Sequence, residues 1–144
     1  MAIITIRTGR ILEDVHRDML KMVANVFKMA GMGVMPPNRA WVPAVDVYET
    51  EKEVVVLVDA AGVKQESLDI ILYKDLLRIV GLREGESGSR SRKFYQMEIA
   101  YGTFERVLRL PSAVESDGAV ASYKNGLLYI TLPKTRKTYR VEIA

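Results

Sequence analysis

The chain has 144 residues, formal charge +3, no cysteine and one histidine, His16. That length suits one folded domain with short arms, large enough for a core without covalent staples. Missing cysteine excludes disulfides, thiol nucleophiles and thiolate metal sites, and a lone histidine excludes a multi-histidine metal site within one chain. Six Lys/Arg face three Asp/Glu over 1–40, ten face twelve over 41–110, and five face three over 111–144. The basic excess lies on the two ends rather than in one stripe, which argues against a nucleic-acid partner. No apolar run approaches the ~18 residues of a membrane span, and Met1-Ala2-Ile3-Ile4-Thr5-Ile6-Arg7 lacks the charged-then-apolar order of a signal peptide, so a cytoplasmic protein is expected.

The first predicted element is an N-terminal arm over 1–40 with an amphipathic helix over about 11–32. Leu12, Val15, Met19, Met22, Val23, Val26, Phe27 and Met29 share one helical face, opposite Glu13, Arg17, Lys21 and Lys28. Gly31, Gly33 and Pro36-Pro37 end the pattern. Methionine adapts to irregular partners, so this Met-rich face suits a promiscuous binding surface as well as ordinary core packing. It also resembles an interfacial membrane helix, but Glu13, Asp14 and Asp18 share the polar side with its cations and weaken attraction to anionic lipid.

From Trp41 to Pro133 the pattern is that of strands separated by turns. Residues 41–48 read as extended, with Pro43 marking an edge; Glu53–Asp59 (EVVVLVD) reads as a central strand. Strands come next over 68–73 and 76–82, on either side of a Lys74-Asp75 turn. A Gly/Ser-rich loop over 83–93 leads to strands over 94–99, 103–110 and 119–123. Asn125-Gly126 is a strong hairpin signal into a last strand over 127–132. About eight short strands predict an all-β fold, an antiparallel immunoglobulin-like β-sandwich over 41–133.

The segment 134–144 is a polar tether ending in Val141-Glu142-Ile143, whose two apolar side chains point the same way when extended. Such a segment suits strand addition into a groove, and equally suits a frayed terminus. Residues 135–140 span ~20 Å at ~3.3 Å each, enough to reach another subunit. No nucleotide-binding loop exists, and the scattered carboxylates Asp46, Asp59, Asp69 and Asp75 have no nucleophile or base beside them. No catalytic residue, cofactor or metal is expected.

Four stretches together resemble the small heat-shock proteins, whose core is the α-crystallin domain. They are Trp41-Val42-Pro43-Ala44-Val45-Asp46-Val47-Tyr48-Glu49, Phe104-Glu105-Arg106-Val107-Leu108-Arg109-Leu110-Pro111, Ala121-Ser122-Tyr123-Lys124-Asn125-Gly126-Leu127-Leu128 and Val141-Glu142-Ile143. The third matches the family's A-x-x-x-N-G-x-L pattern and the fourth its I/V-x-I/V tail. The resemblance implies an ATP-independent chaperone that holds partially unfolded client proteins and is stored as a homo-oligomer built from dimers. It implies Val141 and Ile143 as tail anchors, Ile70, Leu72 and Val120 as the groove that receives them, and Trp41, Phe94, Tyr95, Met97 and Arg106 as dimer contacts. The helical face of the first arm would then bind clients. Three departures stand out: residues 93–101 are more apolar than the family's loop strand, the N-terminal arm of about forty residues is short, and Gly118 falls where the groove often has a larger side chain. A co-chaperone adaptor on the same sandwich normally lacks the V-x-I tail.

Overall fold

The computed structural model describes residues 2–8, 41–86 and 91–136. The expected helix over 11–32 and the tail anchors Val141 and Ile143 lie outside the described residues. Nine strands are described: β1 (Ala2–Ile4), β2 (Ile6–Thr8), β3 (Val45–Glu49), β4 (Glu53–Asp59), β5 (Asp69–Tyr73), β6 (Leu76–Arg83), β7 (Gly102–Arg109), β8 (Val120–Lys124) and β9 (Leu127–Pro133). They form two sheets, ordered β1-β8-β9-β4-β3 and β2-β5-β6-β7. The all-β sandwich is as expected, and every pairing is antiparallel except β2 with β5.

The central strand is the valine run. In β4, Val54, Val56 and Val58 are fully buried and Val55 nearly so, between β9 on one side and the edge strand β3 on the other. Val54, Val56 and Val58 face Ile70, Leu77, Ile79 and Phe104 of the second sheet, with Leu128, Ile130 and Leu132 of β9 completing the same core. Hairpin chemistry sets the registers. Asn125 (φ 53°) and Gly126 (φ 77°) both adopt the left-handed conformation that a two-residue turn from β8 to β9 needs, and Lys74 (φ 53°) does so between β5 and β6.

Two segments differ from the sequence expectation. Residues 94–99 are expected as a strand, but 91–101 carry no regular secondary structure. No backbone group of the described residues pairs with theirs, and a lone extended segment gains no ladder hydrogen bonds. Conversely, residues 2–8, read from sequence only as the start of the arm, are two strands built into the sandwich.

One end of the core is closed by a knot around Trp41. Its indole N–H donates to the Gly102 carbonyl oxygen at 2.8 Å, and its ring meets Phe104 edge-on, centroids 5.0 Å apart at 64°. The Arg83 guanidinium lies 3.7 Å from the Trp41 ring centre and donates to the carbonyl oxygens of Ala100 (2.8 and 2.5 Å) and Ala61 (3.2 Å). Phe104 fits because β6 carries Gly81 there: an added Cβ would lie 2.7 Å from the ring's Cζ and 3.1 Å from Leu68.

Two outcomes are expected. Gly81→Ala forces the buried ring aside and should cost about 1–3 kcal/mol, read as a lower urea midpoint at fixed protein concentration; an unchanged midpoint would refute the close packing. Arg83→Ala uncovers the chain's single tryptophan and should raise the acrylamide quenching constant of its fluorescence. Unaltered quenching would show that the guanidinium does not shield the ring.

Candidate functional site

β5 and β8, the strands expected to flank a groove, lie on one side of the sandwich, where each would be a sheet edge but for β2 and β1. Inner-face residues alternate along each strand. On β5 these are Ile70 and Leu72, both buried in the core. On β8 the inner residue is Ala121, fully buried, with Tyr123 packed on the core and its hydroxyl donating to the Ala60 carbonyl oxygen at 2.6 Å. Val120, expected beside Ile70 and Leu72, points the other way and is half exposed. The polar neighbours Ser122 and Lys124 share its outer face, and that alternation was the available signal. Gly118 occupies the turn before β8 with φ 81°, so its small size answers to the backbone and to Pro133, 3.3 Å from an added Cβ.

The groove is occupied by the chain itself. β1 runs antiparallel to β8, pairing Ile4 with Ala121, and β2 runs parallel to β5, pairing Ile6 with Ile70. Thr5 alone separates the two strands, so this one segment bridges both sheets. Ile4 and Ile6 pack partly buried against the core, while Ile3 faces solvent. Arg7 forks onto Asp69, Nε to Oδ1 at 2.9 Å and Nη2 to Oδ2 at 2.5 Å, and this carboxylate raises the arginine pKa further through hydrogen bonds and charge. Sequence reading missed this occupant, although Ile4-Thr5-Ile6 carries the same two-residue apolar spacing as Val141-Glu142-Ile143.

The expected dimer residues fall in three places. Trp41 belongs to the protomer's own core, held by Gly102, Phe104 and Arg83. Phe94, Tyr95 and Met97 are exposed, Tyr95 to 85%, together with Ile99 and Tyr101. Phe94, Met97, Ile99 and Tyr101 edge a shallow hollow of about 430 Å³. Arg106 lies half-buried on the edge strand β7 and donates to the Pro43 carbonyl oxygen at 3.5 Å. Burial lowers its pKa, because water is stripped from the charge and no carboxylate among the described residues replaces it. Arg83, which sequence reading did not single out, anchors the C-terminal end of the exposed segment through Ala100.

Among the described residues no group of carboxylates or histidine could hold a metal ion, and no helix is long and apolar enough to cross a membrane. What the site offers is strand edges and apolar area.

Residues 46–143 match the model of the Hsp20/alpha crystallin family. Spore protein SP21 of Stigmatella aurantiaca is 36% identical over 111 residues, covering 76% of this chain and 64% of that protein. Small heat shock protein C2 of Rickettsia felis is 32% identical over 104 residues, covering 71% and 68%. Among solved structures, a small heat-shock protein from Xylella fastidiosa, described as having a distinct high order structure, superposes with TM-score 0.63 at 34% identity, covering 73% of this chain and 96% of that one. HspA from Xanthomonas axonopodis gives TM-score 0.59 at 35% identity, covering 65% and 94%. With the sandwich and the N-G hairpin in place, the chain belongs to the Hsp20/α-crystallin family, the small heat-shock proteins.

Proposed function

We propose that this protein is an ATP-independent holdase, which binds partially unfolded proteins and prevents their aggregation, and is stored as a homo-oligomer built from dimers. The observation that carries the reading is the segment 94–99, whose apolar side chains are exposed and which forms no strand among the described residues, leading into the open edge strand β7 of an α-crystallin sandwich. An exposed row of large apolar side chains with unused backbone hydrogen bonds is what a strand exchanged with a second subunit requires. Phe94, Tyr95 and Met97 are the proposed contact residues. Arg106 on β7 would meet the partner's charge at that interface, and Trp41 serves it indirectly by fixing the segment before β3.

Higher assembly is assigned to the tail, with Val141 and Ile143 entering the groove of a neighbouring subunit beside Ile70, Leu72 and Ala121. Client binding is assigned to the arm's apolar face: Leu12, Val15, Met19, Met22, Val23, Val26, Phe27 and Met29. Apolar burial contributes ~25 cal/mol per Å², and soft methionine side chains spread that contribution over many client shapes. Recognition is then of an unfolding state rather than of a sequence. A large apolar patch left open invites self-association, so assembly stores it and dissociation releases it by mass action.

Two measurements test the reading. Light scattering from a heat-labile client, without nucleotide, should be suppressed at near-stoichiometric subunit ratios. No suppression by intact protein would instead favour an adaptor for a dedicated partner chaperone. Val141→Ala with Ile143→Ala removes about five methyl or methylene groups at ~0.8 kcal/mol each, roughly 4 kcal/mol per docked tail. Smaller particles are expected by multi-angle light scattering, and an unaltered mass would remove the tail from assembly.

A further inference from the structure

We propose that residues 2–8 are an intramolecular ligand of the β5–β8 groove, and that a tail carrying Val141-x-Ile143 enters only by displacing them. The proposal rests on the reading that the tail docks in this groove.

The geometry makes the two occupants exclusive. β1 uses the free backbone edge of β8 over Ala121–Tyr123, and β2 uses that of β5 over Ile70–Leu72. An edge strand has one set of free N–H and C=O groups, so a second strand cannot pair there while the first remains. The inner positions are also taken: Ile4 stands opposite Ala121 and Ile6 opposite Ile70. Val141 and Ile143 repeat that spacing of two. The two segments differ at the next residue. Arg7, after Ile6, grips Asp69 with a forked contact, whereas Ala144, after Ile143, has no cation to offer.

Tethering adds to the advantage of residues 2–8. A segment joined to its own groove competes at an effective concentration in the millimolar range, so an incoming tail binds with an affinity reduced by the fraction of grooves open. Displacement also changes the arm. While residues 2–8 are docked, the apolar segment 11–32 is tied to the sandwich at both ends, through β2 and through Trp41. Once they leave, it is tied at Trp41 alone. Tail docking and freedom of the client-binding arm are therefore coupled through one groove.

The test uses the full chain carrying Val141→Ala and Ile143→Ala, so that its own tail does not compete, and a fluorescein-labelled peptide of residues 135–144. Fluorescence anisotropy should show the peptide binding about tenfold more tightly when Ile4→Ser and Ile6→Ser are added. Arg7→Ala, which leaves the core untouched, should tighten binding about two- to five-fold and covers the case in which the serine variant fails to fold. In the chain with an unaltered N-terminal segment, hydrogen exchange should find amides of residues 3–8 protected, and saturating peptide should remove that protection. Equal peptide affinity in all variants, with protection unaltered by peptide, would overturn the exchange while leaving tail docking intact. No peptide binding to any variant would overturn tail docking and the exchange together.

Discussion

An open β-sheet ends in backbone groups that have no neighbour, and the organisation of this protein depends on how each of its sheet edges is met. A two-sheet sandwich has four edges. On one side, residues 2–8 cover two of them, β1 completing the ladder of β8 and β2 that of β5, with Thr5 as the crossing. On the other side, β3 and β7 end their sheets. The segment 91–101, with its exposed apolar side chains, leads directly into β7 without strand pairing among the described residues. The covered side is where exchange between segments is proposed, and the uncovered side is where a second subunit is.

Between these sides lies a core whose tightest point is glycine. Gly81 lets the Phe104 ring lie directly on β6, which brings Trp41 edge-on to it and leaves the outer face of the indole for Arg83. Through Arg83 the same knot reaches the Ala61 turn and Ala100 at the base of the exposed segment. The sandwich therefore sets where the exposed segment ends, while leaving its apolar side chains outside. Arg106, losing water without gaining a carboxylate among the described residues, is the electrostatic counterpart: a charge part-buried on an edge that a partner's acid would satisfy.

Charge elsewhere serves orientation. Glu49 is held below its usual pKa by the Ser112 hydroxyl and by Lys134, which links the edge strand β3 to the segments after β7 and β9. The Arg7–Asp69 fork occupies the outer side of the groove, where water screens it, so it selects register more than it adds stability.

Local pattern was enough for most of the sandwich. The β-branched run EVVVLVD became the buried central strand, Pro43 stood just ahead of an edge strand, and Asn125-Gly126 supplied the two positive-φ residues of its hairpin. These features are local: side-chain branching, a missing N–H and turn stereochemistry act over a few residues, so the sequence alone determined them. The family likeness rested on the same kind of short motif. Three matters were decided only by tertiary structure. Which of Val120 and Ala121 faces the groove depends on β8's register against β9, and one residue of slip reverses the face. Whether residues 94–99 form a strand depends on a partner edge that the described protomer does not provide. That Ile4 and Ile6, rather than any later pair, fill the groove depends on contacts spanning more than a hundred residues between β1 and β8. Strand pairing over such distances is settled by which edges the folded sheets leave open, and no window of neighbouring residues carries that information.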